Sequence, residues 1–412
     1  MINITTGQKT LIAGTCINLS IGVIYAWSVI KKSIVSQWGW THSEANIPYT
    51  VGIIVWAIAL LLAGMLQDRF GPKRLIQLGV AMVGTGLMAS SFVTSPLGMM
   101  FTFGIGVATG IGFTYACITP CCMKWFHHTK KGMVSGITVG GFGLAAVYLA
   151  PLTGKLISVF GISETFLILG IGVLLVAFPM TMMMDNPPAT FMANPPKNSV
   201  MSHTKTPPQK SNDLNWQKIV KTKEFYLLWI MFAFSSSAGV MMIGHLASIA
   251  SVQAGMQDVA LIVSLLAVSN ATGRVGGGIL SDKIGRRNTM LFVFSTQLIN
   301  MLAFIHFTNL PLIALGTVIA GLSYGSLMSV FPSITADKWG MKNYGTNYGV
   351  LYLAWGISGV VGPLIAAWAV DTTGTYELAY MISAVLLGTA MGLGMLIKPA
   401  ITSFKVETLR ST

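Results

Sequence analysis

One arginine within a helix-length apolar run is the residue best placed to bind a charged partner in this 412-residue chain. Arg274 lies inside such a run, whereas the acidic residues all fall outside the apolar runs or at their ends. An arginine at the centre of a membrane-spanning helix costs about 2.5–3.5 kcal/mol on insertion scales. Because the chain offers no carboxylate at that depth, we predict that the missing anion is a bound substrate.

A lone guanidinium also limits the charge of that substrate. Its planar fork matches one carboxylate bidentately, and a dianion would leave a second carboxylate poorly compensated in a site of low dielectric. Arg274 therefore favours small monoanions such as lactate, pyruvate, formate or glycolate. The competing interpretation is structural: the side chain reaches the cytoplasmic side or bonds to backbone carbonyls.

Aromatic and imidazole side chains are further candidates for the same site. Four aromatic residues recur at helical steps and therefore share one helix face: Tyr344, Tyr348, Tyr352 and Trp355. Tyrosine hydroxyls can donate to a carboxylate, with helix packing as the alternative explanation. His245, the one histidine well inside a predicted span, could carry a proton near neutral pH or donate to substrate. A hydrogen-bonded packing histidine is the alternative.

The composition places these residues in a membrane. Hydrophobic residues make up 53% of the chain and charged residues 9%, against about 25% charged in typical globular proteins. A cytosolic enzyme, a secreted disulfide scaffold and a disordered chain are thereby excluded. Because a bilayer core of about 30 Å needs roughly 20 apolar residues in a helix, we predict twelve spanning helices. The apolar runs lie near 11–30, 46–66, 75–94, 97–122, 132–155, 163–184, 223–246, 258–280, 288–308, 311–334, 345–370 and 377–398.

The basic residues predict the orientation of these spans. With the N-terminus inside, most of the 25 Lys and Arg residues fall on one side, which is the positive-inside pattern. We therefore expect a multi-pass protein of the cell (inner or plasma) membrane with both termini in the cytoplasm. The Pro-rich, polar stretch 185–222 is typical of a cytoplasmic linker, so we predict helix bundles at 1–184 and 223–412.

A short basic loop occurs twice, at the same place in each half. The residues of the two loops are Asp68, Arg69, Gly71 and Arg74, then Asp282, Lys283, Gly285 and Arg286. The loops lie 214 residues apart (282 minus 68), and a Lys-Trp pair repeats that offset. A duplicated six-helix unit accounts for both landmarks. Each carboxylate can bridge neighbouring helix ends, which predicts a latch for one access state of a cavity. A plain topogenic turn is the alternative.

These loops resemble the signature loop of the major facilitator superfamily. That resemblance implies an all-α membrane protein with twelve transmembrane helices in two six-helix bundles around a central cavity. Further motifs are Ile24-Tyr25-Ala26-Trp27, Tyr115 before Lys124-Trp125-Phe126, Thr272-Gly273-Arg274, Phe331-Pro332-Ser333 and Asn347-Tyr348-Gly349. Together they resemble the oxalate/formate antiporter family and, more distantly, the monocarboxylate transporters. By this resemblance Arg274 binds carboxylate, and the cavity aromatics are Tyr25, Tyr115, Tyr324 and Tyr352.

Two departures from these families refine the expected function. The oxalate carrier has a lysine in span 11 where this chain has Trp355, so oxalate is disfavoured as the main substrate. Proton-coupled monocarboxylate transporters have an aspartate one turn before the arginine, where this chain has Asn270. Because Asn270 cannot neutralise Arg274, an empty site would expose an unpaired charge during reorientation. We therefore expect anion exchange by alternating access, with Asn270 and Trp355 in the site.

Other functions are alternatives or are excluded. The alternatives are proton symport, oxalate/formate exchange, a carboxylate sensor that signals through the linker, and efflux of amphipathic cations. The sequence has no ATP-binding loop, metal-ligand spacing or catalytic triad, so we expect no enzyme, no cofactor and no metal site. The expected partners are a small carboxylate anion, the lipid bilayer and, for symport, protons. We expect no nucleic acid partner and a monomer.

Overall fold

The computed structural model describes residues 5–188, 191, 213–256 and 259–397. Within these ranges the regular structure is helical and contains no strand, as the sequence predicts. The twelve long helices are α1 Thr6–Trp38, α2 His42–Phe70, α3 Pro72–Ser90, α4 Pro96–Met123, α5 Lys131–Phe160, α6 Ile162–Thr181, α7 Lys223–Ala254, α8 Ala260–Ile284, α9 Arg286–Phe304, α10 Leu310–Trp339, α11 Tyr344–Thr373 and α12 Glu377–Leu396.

Nine helices in the described ranges are long and apolar enough to cross a membrane by length and composition alone. The other three, α3, α8 and α9, have 19, 25 and 19 residues. Polar side chains reduce their hydropathy, as Asn270 and Arg274 do in α8. They pack within the same bundles as the apolar helices, and the protein is a multi-pass membrane protein.

Several helices extend beyond the apolar runs. α1 ends at Trp38 and α7 at Ala254, each eight residues after the predicted limit. At the N-termini of α1 and α2, the hydroxyls of Thr5 and Thr41 accept backbone hydrogen bonds in capping boxes. Gly255 caps the C-terminus of α7, and its φ of 63° is readily adopted by glycine. The predicted C-terminal edges of α1 and α7 were wrong because polar turns continue these helices past their apolar runs to the left-handed glycines Gly39 and Gly255.

α1 is interrupted where it approaches α5. Its α-helical parts, Thr6–Ile21 and Trp27–Trp38, are separated by a 3-10 segment, Gly22–Ala26. A Cβ on Gly22 would overlap the Cβ of Ala145, so glycine permits the close approach of the two helices. The 3-10 segment contains Tyr25, and its altered winding sets the position of that side chain.

The helices form two bundles with the same internal packing. In the first bundle α1 packs on α5 and α6, α2 packs on α4, and α3 packs on α4 and α6. In the second bundle α7 packs on α11 and α12, α8 packs on α10, and α9 packs on α10 and α12. Each pairing in the second bundle is a pairing of the first moved on by six helices, as a duplicated unit produces.

The two bundles meet chiefly through two equivalent helix pairs, α2 with α11 and α5 with α8. The end of the molecule that carries the duplicated loops is called the basic end below. At that end a Cβ on Gly64 would overlap the carbonyl oxygen of Gly345, and a Cβ on Gly132 would overlap that of Gly278. Farther along α11, a Cβ on Gly359 would lie 3.5 Å from the nearest α2 side chain. The bundles are therefore in closest contact at the basic end.

The predicted linker is described only in part. Residues 189–190 and 192–212 lie outside the described residues, as does the predicted cytoplasmic tail from 398 onward. The described end of the linker contains a short helix, Trp216–Ile219, and Leu214 donates its backbone N–H to the carbonyl of Trp339 at 3.2 Å. The boundaries 1–184, 185–222 and 223–412 stay predictions.

Candidate anion-binding site

Arg274 lies deep in α8 and is almost completely buried. It precedes Ile284, the last residue of α8, by ten residues, which is about 15 Å along a helix axis. Only 2% of its surface is exposed. The side chain therefore does not extend to the basic end. This finding argues against the alternative interpretation in which Arg274 reaches the cytoplasmic side.

Three hydrogen bonds hold the guanidinium. Nε donates to Oδ1 of Asn270 at 3.0 Å, and Nη1 donates to the carbonyl of Val139 on α5 at 2.9 Å. Nη2 donates to the hydroxyl of Tyr25 on α1 at 3.3 Å. All three acceptors are neutral, and among the described residues no carboxylate forms an ion pair with Arg274. The alternative interpretation, bonding to backbone carbonyls, thus accounts only for the contact with Val139. The charge of Arg274 has no counter-charge among the described residues.

This bonding leaves two guanidinium N–H groups available. An arginine has five N–H donors, and the three bonds use one on Nε, one on Nη1 and one on Nη2. These bonds leave a second N–H on each terminal nitrogen, close to the neutral hydroxyl of Tyr115, and this pair can bind both oxygens of a carboxylate. Gly143 on α5 leaves room for the guanidinium itself, since a Cβ there would lie 2.8 Å from Nε and 3.2 Å from Cζ of Arg274.

Aromatic rings surround this charge. Phe142 on α5 packs edge-on against Tyr25 and Tyr115, with ring centres 5.3 and 5.2 Å apart. Tyr115 on α4 lies 6.0 Å from Tyr352 on α11, and its hydroxyl faces both Tyr352 and Arg274. The rings can pack against the alkyl part of a small acid while the hydroxyls remain available to its polar part.

The second bundle adds a hydrogen-bonded pair. Nε1 of Trp355 donates to the hydroxyl of Tyr324 at 2.8 Å, and Trp355 packs against Tyr352 at 5.0 Å. The structure therefore groups six of the predicted site residues around Arg274. These are Tyr25, Tyr115, Tyr324, Tyr352, Asn270 and Trp355. That they bind substrate stays a prediction.

His245 lies apart from this group. Its Nδ1 is 3.4 Å from the hydroxyl of Tyr376, which precedes α12. On α7, His245 follows Phe232 by thirteen residues, or about 20 Å along the axis, and it is Phe232 that packs against Tyr352 at 5.9 Å. The structure therefore does not bring His245 into contact with the residues around Arg274.

Trp56 on α2 is a member of the enclosure that the sequence reasoning missed. Its ring centre lies 4.9 Å from Trp355, 5.3 Å from Phe142 and 5.8 Å from Tyr115. The duplication could have indicated Trp56, because position 56 in the first half corresponds to the predicted site residue Asn270 in the second. Phe142 was missed too, and its repeat position is a glycine, which gives no such signal.

The carboxylates of the two loops each bind the start of a helix in the other bundle. Asp68 on α2 accepts from the backbone N–H groups of Gly345 at 3.3 Å and Thr346 at 3.0 Å, at the start of α11. Asp282 on α8 accepts from two backbone N–H groups at the start of α5, at 2.9 and 2.7 Å. Unpaired N–H groups and the helix dipole both favour a carboxylate there. Each loop thus joins the bundles at the basic end.

The second loop also contains an ion network. Arg286 donates from Nη1 to Asp282 at 2.6 Å and from Nε to Asp337 at 2.8 Å. Lys131, in the other bundle, lies 3.3 Å from Asp337. The repeat position of Arg286 in the first loop is Pro72, so the Asp68 loop lacks the equivalent arginine.

The other predicted loop residues form the turns or are exposed. Gly71 and Gly285 have φ values of 81° and 88°, which glycine adopts without steric cost. The exposed residues are Arg69, Arg74 and Lys283. All five belong to the basic end and lie outside the group around Arg274.

Known proteins share this architecture. The model of the family described as Major Facilitator Superfamily matches residues 10–307 and 250–407. The chain is 25% identical to an oxalate:formate antiporter of Oxalobacter formigenes, over 97% of this chain and 95% of the relative. It is 26% identical to human monocarboxylate transporter 12, over 86% of this chain and 73% of the relative. The crystal structure of the Escherichia coli fucose:proton symporter FucP matches with a TM-score of 0.67 at 14% identity, over 94% and 99% of the two chains. This last likeness concerns the fold alone.

Proposed function

Because this chain belongs to the major facilitator superfamily, we propose that it is a secondary carrier that moves small monocarboxylates by alternating access of its two bundles. Its relatives and its fold are those of transporters and not of enzymes. The observation that supports the substrate class is Arg274, a buried cation whose hydrogen-bond acceptors are all neutral. A charge at this depth is stabilised when the substrate supplies the anion.

The single cation supports a substrate with one negative charge. The two free N–H groups of Arg274 can receive one carboxylate, and the N–H of Trp355 is already donated to Tyr324. A second carboxylate would lack a partner, and its burial would cost on the order of several kcal/mol. Both relatives are named for small organic anions, which supports the same broad class.

Anion exchange is the mode of transport that fits this site best. An empty carrier would have to reorient with the charge of Arg274 uncompensated, because Asn270 is neutral. A bound monoanion cancels that charge and lowers the barrier. The positive-inside pattern supports a cytoplasmic location for the basic end and for both termini. In this arrangement the two bundles are closed toward the cytoplasm.

The proposal is tested with the purified protein in liposomes. Uptake of labelled lactate, pyruvate or formate should be faster into liposomes preloaded with the same acid than into empty ones. Arg274→Lys keeps the charge but loses the planar fork, so affinity should fall roughly tenfold to a hundredfold, in line with a charged hydrogen bond. Arg287→Lys is the matched control. Arg287 donates to the carbonyls of Gly394 and Met395 at 3.2 and 2.8 Å, in the described part of α12.

Different outcomes contradict different parts of the proposal. Equal uptake into empty and preloaded liposomes would contradict obligate exchange and leave the substrate class intact. Oxalate as the tightest ligand would contradict the argument from a single cation. Transport unchanged in Arg274→Lys would remove Arg274 from the site, and binding without flux would identify a sensor.

Proton symport is the second candidate function because of one partly buried contact. His245 is partly buried, and its ring lies 3.4 Å from the hydroxyl of Tyr376, an arrangement in which a proton could be exchanged. Uptake driven by an inward proton gradient and abolished in His245→Ala would support symport. Proton-driven uptake that survives this change would exclude His245 as the proton carrier.

A further inference from the structure

Trp56 has a buried indole N–H with no hydrogen-bond acceptor among the described residues. Only 3% of the residue is exposed, so this donor lies in the interior of the molecule. Buried tryptophan N–H groups usually have a partner. Trp27, equally buried, donates to the carbonyl of Ala45 at 3.1 Å, and Trp355 donates to Tyr324 at 2.8 Å. The free donor of Trp56 therefore requires an explanation.

The position of Trp56 places this donor next to the anion site. Phe142 packs against both Trp56 and Tyr25, a partner of Arg274, with ring centres 5.3 Å apart in both cases. On α11 of the other bundle, Trp355 lies 4.9 Å away. Trp56 thus lies between the bundles, one aromatic ring from the residues that hold the guanidinium.

The internal duplication supports the same placement. Position 56 on α2 is the repeat equivalent of position 270 on α8, and Asn270 accepts a hydrogen bond from Arg274. In a pair of bundles related by an approximate two-fold axis, equivalent positions face the common centre from opposite sides. Asn270 and Trp56 therefore occupy equivalent positions on the two sides of the common centre.

We propose that Trp56 selects the substrate, by donating its indole N–H to an oxygen on the carbon next to the carboxylate. This inference rests on the proposed function. The two free N–H groups of Arg274 occupy both carboxylate oxygens, and Trp56 stands one ring away from that pair. The substrate oxygen that accepts from the indole N–H of Trp56 is therefore one on carbon 2, the carbon next to the carboxylate. The substrate class is then 2-hydroxy and 2-oxo monocarboxylates, such as lactate, glycolate and pyruvate, in preference to propionate and acetate.

The test compares lactate with propionate, which differ only in the hydroxyl at carbon 2. Dissociation constants for the purified full-length protein come from ligand-induced shifts of the melting temperature. The wild type should bind lactate about tenfold more tightly than propionate, the effect expected of one buried hydrogen bond. Trp56→Phe keeps an aromatic ring and loses the N–H. It should bind propionate as the wild type does and lose the preference for lactate.

Trp27→Phe is the matched control, because it removes a buried indole N–H that already has an acceptor. It should lower the melting temperature and keep the preference for lactate. Glycolate and acetate on the wild type give a second matched pair that needs no variant, and glycolate should again bind about tenfold more tightly.

Two results would overturn the role of Trp56: a wild type without preference in either pair, or a lactate preference that survives in Trp56→Phe. Monocarboxylate binding would still stand in both cases, and with it the proposed function. A wild type that binds none of the four acids would overturn the proposed function as well.

Discussion

Neutral side chains arranged around one cation define the chemistry of the site. Asn270 accepts from Nε of Arg274, Tyr25 accepts from Nη2, and the carbonyl of Val139 accepts from Nη1. These contacts orient the guanidinium and do not reduce its charge. In the proposed cycle the substrate alone neutralises it, so an acidic side chain placed in contact with it should take over part of the role of the substrate.

Asn270→Asp is the substitution that tests this reasoning. A carboxylate at this position would lie about 3.0 Å from Nε of Arg274 and form an internal ion pair. It would compete with the substrate, and affinity for monocarboxylates should fall by roughly tenfold or more, which corresponds to about 1.4 kcal/mol. The empty carrier would become neutral at this site. The ratio of uptake into preloaded and empty liposomes should therefore approach one.

Asn46→Asp is a suitable control, since Asn46 is exposed and accepts from Lys31 at 2.8 Å. Neither affinity nor the uptake ratio should change in this variant. If Asn270→Asp weakened binding but left the uptake ratio as in the wild type, the charge of Arg274 would not be the barrier to empty reorientation.

The sequence predicted the polar part of this site better than its walls. Arg274 was identifiable because a lone cation in an apolar run has few explanations, and resemblance identified Tyr25 and Tyr115. The carbonyl of Val139 and the space left by Gly143 were not predictable. Both depend on how closely α5 approaches α8, and a backbone carbonyl has no sequence signal of its own.

At the scale of helices, the aromatic face of α11 forms a continuous column. Its ring centres are separated by 5.6, 5.3 and 5.0 Å. The members, in order from the basic end, are Tyr344, Tyr348, Tyr352 and Trp355. Helical periodicity predicted this shared face. It did not predict that the hydroxyls of Tyr344 and Tyr348 would be buried without a partner among the described residues.

Tyr348→Phe should stabilise the arrangement that is closed at the basic end. An unpartnered buried hydroxyl is unfavourable, and its removal should contribute about 1 kcal/mol to the stability of that state. The melting temperature of the unliganded protein should rise. Exchange should become slower, because opening of the basic end would no longer be favoured by hydration of the hydroxyl. Thermal unfolding and liposome exchange measure the two effects.

Tyr380→Phe gives the contrasting control on α12. The hydroxyl of Tyr380 donates to Oε1 of Gln253 at 2.9 Å, so its removal should lower the melting temperature. If Tyr348→Phe lowered it as well, the hydroxyl of Tyr348 would have a partner that stabilises the protein.

Features that depend on contacts between helices were beyond the reach of periodicity. The 3-10 segment Gly22–Ala26 lies where α1 meets Ala145 of α5, and neither hydropathy nor composition reports on that contact. His245 shows the same limit. Its location in an apolar run suggested a place in the site. However, His245 lies about 20 Å along the axis of α7 from Phe232, the residue of that helix that packs against Tyr352.

At the scale of the whole molecule, the duplication predicted that both loops would join the bundles at the basic end, but it did not predict that their contacts would differ. Both loop carboxylates bind the start of a helix in the other bundle, as the repeated motif suggests. Among the described residues, only the second loop also has an ion pair between the bundles, because Arg286 binds Asp282 and Asp337, and Asp337 lies 3.3 Å from Lys131 of the first bundle. The second loop should therefore contribute more to closure than the first loop with Asp68.

The unequal loops predict how closure of the basic end responds to loss of each carboxylate. Asp282→Asn weakens the bonds to the start of α5 and removes one partner of the nearly buried Arg286. This substitution should destabilise the closed state by about 1–3 kcal/mol. Asp68→Asn should have a smaller effect, since the groups that Asp68 binds at the start of α11, two backbone N–H groups and the hydroxyl of Thr346, are neutral and can still donate to an asparagine oxygen. Hydrogen exchange of the backbone N–H groups that these carboxylates bind, at the starts of α5 and α11, measures both.

If the basic end opens as one unit, either substitution should accelerate exchange at the starts of both α5 and α11, and Asp282→Asn should do so more strongly. This follows because the two loops close the same pair of bundles and share one closed state. Asp185→Asn is the control, since its ion pair with Lys73 is exposed and such pairs contribute little. Faster exchange confined to the helix that has lost its own carboxylate would mean that the two loops open independently. The bundles would then not move as the rigid bodies that alternating access requires.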